Sequence, residues 1–158
     1  MIVRNEKETD HRHVEELIRK AFYNLYVPGC TEHYLARVMR GHEDFIPELD
    51  LVLELDGRVI GSILYTKAKL SDAAGKEKEI LTFGPVCIAP EYQRMGYAKE
   101  AVKGILEYAA EELEASRVIL RIHTENQPSR NFAEQMGFHL STQRLEKEPD
   151  VRLYVYDL

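Results

Sequence analysis

The stretch Val86-Cys87-Ile88-Ala89-Pro90-Glu91-Tyr92-Gln93-Arg94-Met95-Gly96-Tyr97-Ala98 decides the fold of this chain. It begins as an apolar run, reaches a proline and a polar turn, and continues into residues with helical spacing. This order predicts a strand, a short loop and the N-terminus of a helix. Small residues at positions 96 and 98 let backbone N–H groups approach a bulky anion, and the first N–H groups of a helix favour phosphate. The stretch therefore predicts a phosphate-binding loop.

The loop resembles the acetyl-CoA pyrophosphate loop of the GCN5-related N-acetyltransferases (the GNAT family). The signature of that loop is Gln/Arg-x-x-Gly-x-Gly/Ala. In this chain it is formed by Gln93, Arg94, Met95, Gly96, Tyr97 and Ala98. For the segment taken alone, an ordinary strand–turn–helix junction is the alternative.

A second stretch, Leu120 to Phe138, resembles the other signature of the same family. That signature runs from an apolar strand to an asparagine, then to a short helix of small and apolar residues that ends in Gly-Phe. The resemblance implies that Asn126 bonds the pantetheine amides of the cofactor, and that Ser129 and Phe132 pack along the pantetheine arm. The structural alternatives are a cap for Asn126, a first-turn residue for Ser129 and a core residue for Phe132. Two signatures in the right order identify the chain as a member of the family.

Length and composition agree with one globular domain over residues 1–158. The net charge of −6 argues against a general nucleic-acid binder, which is usually basic. The charged start of the chain predicts no signal peptide, and no apolar run is long enough to span a bilayer. Cys30 and Cys87 have no metal-ligand spacing, which favours free thiols in a reducing cytoplasm.

Periodicity predicts seven strands and four helices. A helix capped by Thr9 or Asp10 runs to Phe22 and is ended by Val27-Pro28-Gly29, and a second one places Leu35, Val38 and Met39 on one face. The strands are predicted over 2–4, 51–55, 59–65, 79–88, 117–123, 138–145 and 151–156, and the other two helices over 96–114 and 128–135. Asp56-Gly57 predicts a two-residue hairpin turn, and Ser71 to Lys78 a polar loop.

This element order predicts an α/β fold with a mixed, largely antiparallel sheet and helices on both faces, which is the GNAT layout. The fourth strand, the long helix and the fifth strand should form a right-handed parallel crossover. Gly84-Pro85 predicts a bulge or an end of pairing inside the fourth strand. We expect the sheet to splay between strands four and five there, and the resemblance implies that the pantetheine arm lies in this splay.

By the same resemblance, the backbone groups of Val86, Cys87 and Ile88 face the cofactor. The N–H of Val86 or Ile88 would stabilise the oxyanion that develops on the thioester carbonyl. A nucleophilic role for Cys87 is disfavoured, since the sequence places no base beside it and the family transfers the acetyl group directly.

The sequence departs from the family pattern at two catalytic positions. Many members have a tyrosine acid where this chain has Ala133, and some have a glutamate base where it has Thr82. An alkyl ammonium must lose a proton before it attacks, so another base or water is required. His123 is the first candidate for a base, with Glu79 as an alternative. Tyr154 and Tyr156 are the candidates for an acid.

The predicted activity is transfer of an acetyl group from acetyl-CoA to a primary amine of an unidentified small molecule or peptide, without a metal. By family analogy the acceptor lies over the first two helices. The carboxylates there either suit a cationic amine or form a solvated surface, and they are Glu15, Glu16, Glu32, Glu43, Asp44, Glu48 and Asp50. A sensor module that binds acetyl-CoA with little catalysis is the main alternative. A nucleotide-binding domain of another kind lacks its usual glycine motifs. We expect no nucleic-acid or membrane partner, and the apolar C-terminal strand slightly favours a homodimer.

Overall fold

The computed structural model describes residues 1–25, 28–71, 75, 77–111, 116–143, 145 and 148–158. By its contacts the chain divides into two compact units, Met1–Ala98 and Lys99–Leu158. The single domain over residues 1–158 stays a prediction. None of the helices among the described residues is long and apolar enough to cross a membrane.

The first unit contains a four-stranded antiparallel sheet. Its strands are β1 (Ile2–Asn5), β2 (Leu51–Leu55), β3 (Arg58–Ser71) and β4 (Glu77–Ile88), in the order β1-β2-β3-β4. The predicted hairpin turn is confirmed, because both turn residues have positive φ, 50° at Asp56 and 77° at Gly57. β3 and β4 extend into the predicted polar loop, of which residues 72–74 and 76 lie outside the described residues.

Two helices, α1 (His11–Phe22) and α2 (Glu32–Met39), pack with this sheet. Val14, Leu17 and Ile18 of α1 form one core cluster with Val52 of β2 and Cys87 of β4. Because these residues recur at three and four positions along α1, one stripe of the helix faces the sheet. α1 ends at Phe22, earlier than Val27-Pro28-Gly29, and Val27 lies outside the described residues.

The predicted second helix is confirmed, but the face that Leu35 and Val38 share is exposed. Leu35 and Val38 are 47% and 46% exposed, whereas Ala36 is 1% exposed and belongs to the core. The inner side of α2 continues into Arg40, which bonds carboxylates on two other segments. Charge pairing, which an apolar pattern does not reveal, therefore sets the orientation of this helix.

The second unit contains a three-stranded antiparallel sheet in the order β5-β7-β6. Its strands are β5 (Arg117–His123), β6 (His139–Leu140) and β7 (Val151–Asp157). Helix α3 (Tyr97–Glu111) begins in the last residues of the first unit, and α4 (Gln127–Gln135) follows β5. The core residues are Leu106, Ile122, Ala133, Phe138 and Tyr154.

The predicted α/β class with antiparallel sheets and helices is confirmed. β6 is shorter than the predicted 138–145, and the end of the predicted helix 96–114 lies partly outside the described residues. β4 and β5 belong to different sheets. The splay between them and the parallel crossover remain predictions.

Candidate functional site

Strand β4 carries a bulge at Gly84-Pro85. Ile63 of β3 pairs with Val86 and Tyr65 pairs with Phe83, so Gly84 and Pro85 lie opposite Leu64 alone. Gly84 has a φ of 143°, a conformation that favours glycine, and the proline needs no ladder hydrogen bond at a bulge. The bulge predicted from this dipeptide is therefore confirmed.

Downstream of the bulge, alternate residues of β4 direct their backbone groups to opposite sides. The N–H of Ala89 donates to the carbonyl of Ile60, at an N–O distance of 2.7 Å. By the alternation of an antiparallel ladder, Cys87 also turns its backbone groups toward β3, and Val86 and Ile88 turn theirs away from it. Because β4 is an edge of its sheet, the Val86 N–H points to the open side of that edge.

The carbonyl of Ile88 has a partner within the loop that follows. The side chain of Gln93 donates from Nε2 to this oxygen at 3.0 Å. The first residue of the predicted phosphate loop is thereby tied back to the end of β4. The N–H groups of Val86 and Ile88 both face away from β3, and both remain the predicted donors to a bound carbonyl.

Cys87 is a core residue, and its surroundings disfavour a nucleophilic role. Its side chain is 7% exposed and lies 3.5 Å from the hydroxyl of Ser62, measured from Sγ to Oγ. Burial raises the pKa of the Cys87 thiol to about 11, since the apolar surroundings disfavour the thiolate. The thiol form is thus favoured near pH 7, which makes the group a poor nucleophile.

The residues from Gln93 to Gly96 are exposed, and the sign of φ alternates from Arg94 to Gly96. A short 3-10 turn, Pro90–Tyr92, precedes it, and α3 begins at Tyr97. Arg94 has a φ of 65° and Gly96 a φ of 91°, while Met95 between them is not in this region. Such alternation turns successive N–H groups toward one side, and the 15-residue helix α3 adds the positive end of its dipole. The predicted phosphate loop therefore has the backbone geometry of an anion cradle.

The other predicted site residues lie in the second unit. Asn126 is the N-cap of α4, where its Oδ1 accepts from the N–H of Ser129 at 3.1 Å. Ser129 and Phe132 are both half-buried on this helix. The exposed His123 accepts the N–H of Glu125 at Nδ1, at 3.3 Å, which fixes the proton of the neutral ring on Nε2. A base at His123 must give up this hydrogen bond before it takes a proton.

The residues at the two positions that depart from the family pattern both have structural roles. Ala133 is completely buried in the core of the second unit. Thr82 bonds the hydroxyl of Thr66 across the β3–β4 ladder, at an Oγ1–Oγ1 distance of 2.9 Å. Neither residue can donate or accept a proton for catalysis near pH 7.

The other candidates for acid and base differ in their surroundings. Tyr154 is fully buried, and its hydroxyl accepts from Nε of Arg130 at 3.2 Å and donates to Glu134 at 3.4 Å. Tyr156 packs its ring on Phe138, with ring centres 5.2 Å apart. The side chain of Glu79 lies outside the described residues.

Three of the seven carboxylates that suggested a cationic acceptor site lie beside arginines. Glu15 bonds Arg37 and, at 2.9 Å, Arg40, while Glu16 pairs with Arg19 at 2.8 Å. Asp50 is buried. This ionic cluster was missed by the sequence analysis, although two arginines three residues apart, on a helix facing acidic positions of another helix, were a usable signal.

A family model described as an acetyltransferase (GNAT) domain matches residues 7–139. Because this match spans more than half of the chain, the chain belongs to the GNAT family of acetyltransferases. The membership predicted from the two signatures is thus confirmed.

Individual relatives are more distant. A segment of 48 residues, 30% of this chain, is 42% identical to the uncharacterized N-acetyltransferase YnaD of Bacillus subtilis (strain 168), and spans only 28% of that relative's length. An acetyltransferase from Agrobacterium tumefaciens str. C58 is similar over 99% of this chain and 90% of its own, with a TM-score of 0.71 and 17% identity. A GNAT acetyltransferase from Brucella melitensis, solved in complex with acetyl-CoA, is similar over 99% and 86%, with a TM-score of 0.68 and 21% identity. At these identities the two structures establish the fold.

Restoring the family tyrosine at position 133 is expected to destabilise the protein. Ala133 has no exposed surface, so the phenol of an Ala133→Tyr variant must displace core side chains such as Tyr154. Overpacking of this kind costs about 1–3 kcal/mol and can cost more. Urea unfolding measures the loss. Gln135→Tyr, at an exposed position of the same helix, is the control and should stay within about 0.5 kcal/mol of wild type. Equal stability of the two variants would contradict the packed position of Ala133.

Proposed function

We propose that this chain is an N-acetyltransferase that moves the acetyl group of acetyl-CoA directly to a primary amine of a small molecule or peptide. The proposal rests on the path of the chain from the edge strand β4 into the loop before α3. An edge strand presents the Val86 N–H away from its neighbour and continues within a few residues into the backbone cradle before α3. The Val86 N–H suits a thioester carbonyl, and the loop before α3 suits a pyrophosphate.

The roles of individual residues follow from this arrangement. Gln93, Arg94, Met95, Gly96, Tyr97 and Ala98 would bind the pyrophosphate. The backbone groups of Val86, Cys87 and Ile88 would lie along the pantetheine arm, with the Val86 N–H at the thioester oxygen. Asn126, Ser129 and Phe132 would bind the pantetheine from α4. We also infer one domain over residues 1–158, a cytoplasmic protein and a homodimer.

Direct transfer would proceed by attack of the neutral amine on the thioester carbon. The tetrahedral oxyanion is stabilised by the Val86 N–H, and its collapse breaks the carbon–sulfur bond and releases the CoA thiolate. The amine proton goes to water or to His123, whose hydrogen bond to Glu125 must then open. The thiolate is a good enough leaving group to depart without a dedicated acid.

A sensor that binds acetyl-CoA with little catalysis is the second candidate. Two observations favour it, namely the full burial of Ala133 and the pairing of Thr82 with Thr66, since both remove a customary catalytic group. The two functions share the cofactor and differ in turnover.

Two measurements test the proposal. Calorimetric titration with acetyl-CoA is expected to give a dissociation constant in the micromolar range or below. Release of free CoA is then followed with a panel of small amines and peptides, with and without the protein. Turnover with any amine supports the transferase, and tight binding without turnover across the panel favours the sensor. Failure to bind either acetyl-CoA or CoA would overturn both.

A further inference from the structure

A buried ionic cluster joins four segments of the first unit. Its centre is Arg40, at the end of α2, whose guanidinium bonds Glu6 at 2.7 Å and Glu15 at 2.9 Å. Asp50, just before β2, lies 3.8 Å from the Nε of the same arginine. These four side chains are only 1–11% exposed, so water does little to screen their charges.

The cluster contains more negative than positive charge. Three carboxyl groups face one buried guanidinium, and the only other cation that bonds them among the described residues is Arg37, which reaches Glu15 from an exposed position. Glu6 and Asp50 also lie side by side, since a carboxyl oxygen of each lies within 4.8 Å of the other, and the N–H of Glu6 donates to the carbonyl of Asp50 at 2.7 Å. Two buried carboxylates this close repel each other unless one of them carries a proton.

We propose that Glu6 and Asp50 share one proton, and that this proton makes their junction with Arg40 a pH-sensitive latch holding α2 against the sheet. With the proton present, the charges of the cluster balance and Arg40 binds both sides of the junction. When the proton leaves, a second negative charge appears between two segments that are held together at that point. The latch then weakens at the end of α2, where Arg40 lies.

The surroundings of the pair favour the protonated form. Burial, followed by the nearby charge of Asp50, raises the pKa of Glu6 to about 8, against the opposing effect of Arg40. Burial also raises the pKa of Asp50, and the hydrogen bond from Glu6 opposes this shift. The other charged groups that face the pair are Asp10, before α1, and His11, in its first turn. Arg4 bonds Asp10 at 2.6 Å, so most of the charge of Asp10 is already compensated.

The direction of the pH effect follows from this raised value. In the unfolded chain the glutamate has its ordinary pKa of 4.5, so below that pH both states hold the proton and the latch is fully present. Between about pH 5 and 8 only the folded state holds it. The folding equilibrium constant therefore falls by up to about tenfold for each pH unit over this range, and levels off above it.

The test is urea unfolding of the whole chain at pH 5, 6, 7 and 8, for wild type and for Glu6→Gln. Glutamine keeps the shape and the hydrogen-bonding capacity of the protonated acid but has no proton to lose. In this variant the folding equilibrium constant should therefore no longer fall by up to about tenfold for each pH unit. Asp50→Asn should remove the same slope, and it keeps the test decisive if Glu6→Gln does not fold. Glu48→Gln, at an exposed position near Asp50, is the control and should keep the wild-type slope.

Hydrogen exchange places the effect within the fold. The amides of α2 should lose protection between pH 7 and 9 in wild type, after correction for the intrinsic exchange rate, while those of β2 keep theirs. In Glu6→Gln the protection of α2 should not change with pH. A wild-type slope retained in both Glu6→Gln and Asp50→Asn would overturn the shared proton. Protection of α2 that is independent of pH in wild type would overturn the latch.

Discussion

Gly96→Glu is expected to weaken acetyl-CoA binding at least about 100-fold, a change of about 2.7 kcal/mol in binding free energy. Gly96 lies in the centre of the predicted pyrophosphate cradle, and a Cβ built on it meets no atom within 4 Å. A side chain there therefore has space, and the new carboxylate would stand among the N–H groups that should bind the pyrophosphate. Repulsion between the two anions, added to the loss of the cradle, accounts for the expected effect. Calorimetric titration with acetyl-CoA measures it.

The matched control for this variant is Gly96→Gln. The φ of 91° at position 96 is unfavourable for any side chain, so glutamate and glutamine bear the same backbone cost. They have nearly the same size and differ in charge. We expect Gly96→Gln to bind at least about tenfold more tightly than Gly96→Glu, with thermal unfolding showing that both are folded. Equal affinities would mean that the loop does not bind the pyrophosphate, whatever the size of the common loss.

Local chemistry explains which parts of the fold the sequence could predict. The turn at Asp56-Gly57 and the bulge at Gly84-Pro85 depend on backbone preferences of the residues themselves, so both are visible without a structure. The loop before α3 also depends on a local backbone preference, since the positive φ at position 96 favours glycine. The bulge and the loop lie where the sequence predicts the cofactor, and the binding of the cofactor there stays a prediction.

The rest of the candidate site depends on contacts between distant segments. Leu35 and Val38 have the spacing of a buried face, yet they are exposed because Arg40 fixes α2 through carboxylates that lie 25 and 34 positions away in sequence. Glu15 is at the nearer of these positions. Its sequence pattern is that of a solvated acid, whereas in the fold it is buried in an ion pair with Arg40. The spacing of Arg37 and Arg40 suggests ion pairs but does not identify their distant partners, so this pairing could not be predicted in full from the sequence.

Arg40→Met is expected to destabilise the protein by about 3–5 kcal/mol at pH 8. Methionine keeps part of the aliphatic stem and removes the charge. Glu6, Glu15 and Asp50 then remain buried, and among the described residues the exposed Arg37 is the one arginine or lysine that still bonds any of them. Breaking a buried ion pair on one side usually has a cost of this size, because the remaining charges lose their compensation without regaining water. Urea unfolding at constant temperature measures the change in the free energy of unfolding.

The cost of Arg40→Met should depend on pH in a way that a packing defect does not. At pH 5 the uncompensated carboxyl groups can take up protons in the folded state, so the deficit relative to wild type should shrink as the pH falls. Arg37→Met is the matched control. Arg37 also bonds Glu15, but its side chain is 66% exposed, and water replaces most of what it contributes, so its loss should be much smaller at both pH values. If the two variants lost equal stability at pH 8, or if the Arg40→Met deficit were the same at pH 5, the cluster would not depend on Arg40 for charge compensation. The stability lost in Arg40→Met would then come from lost packing contacts alone.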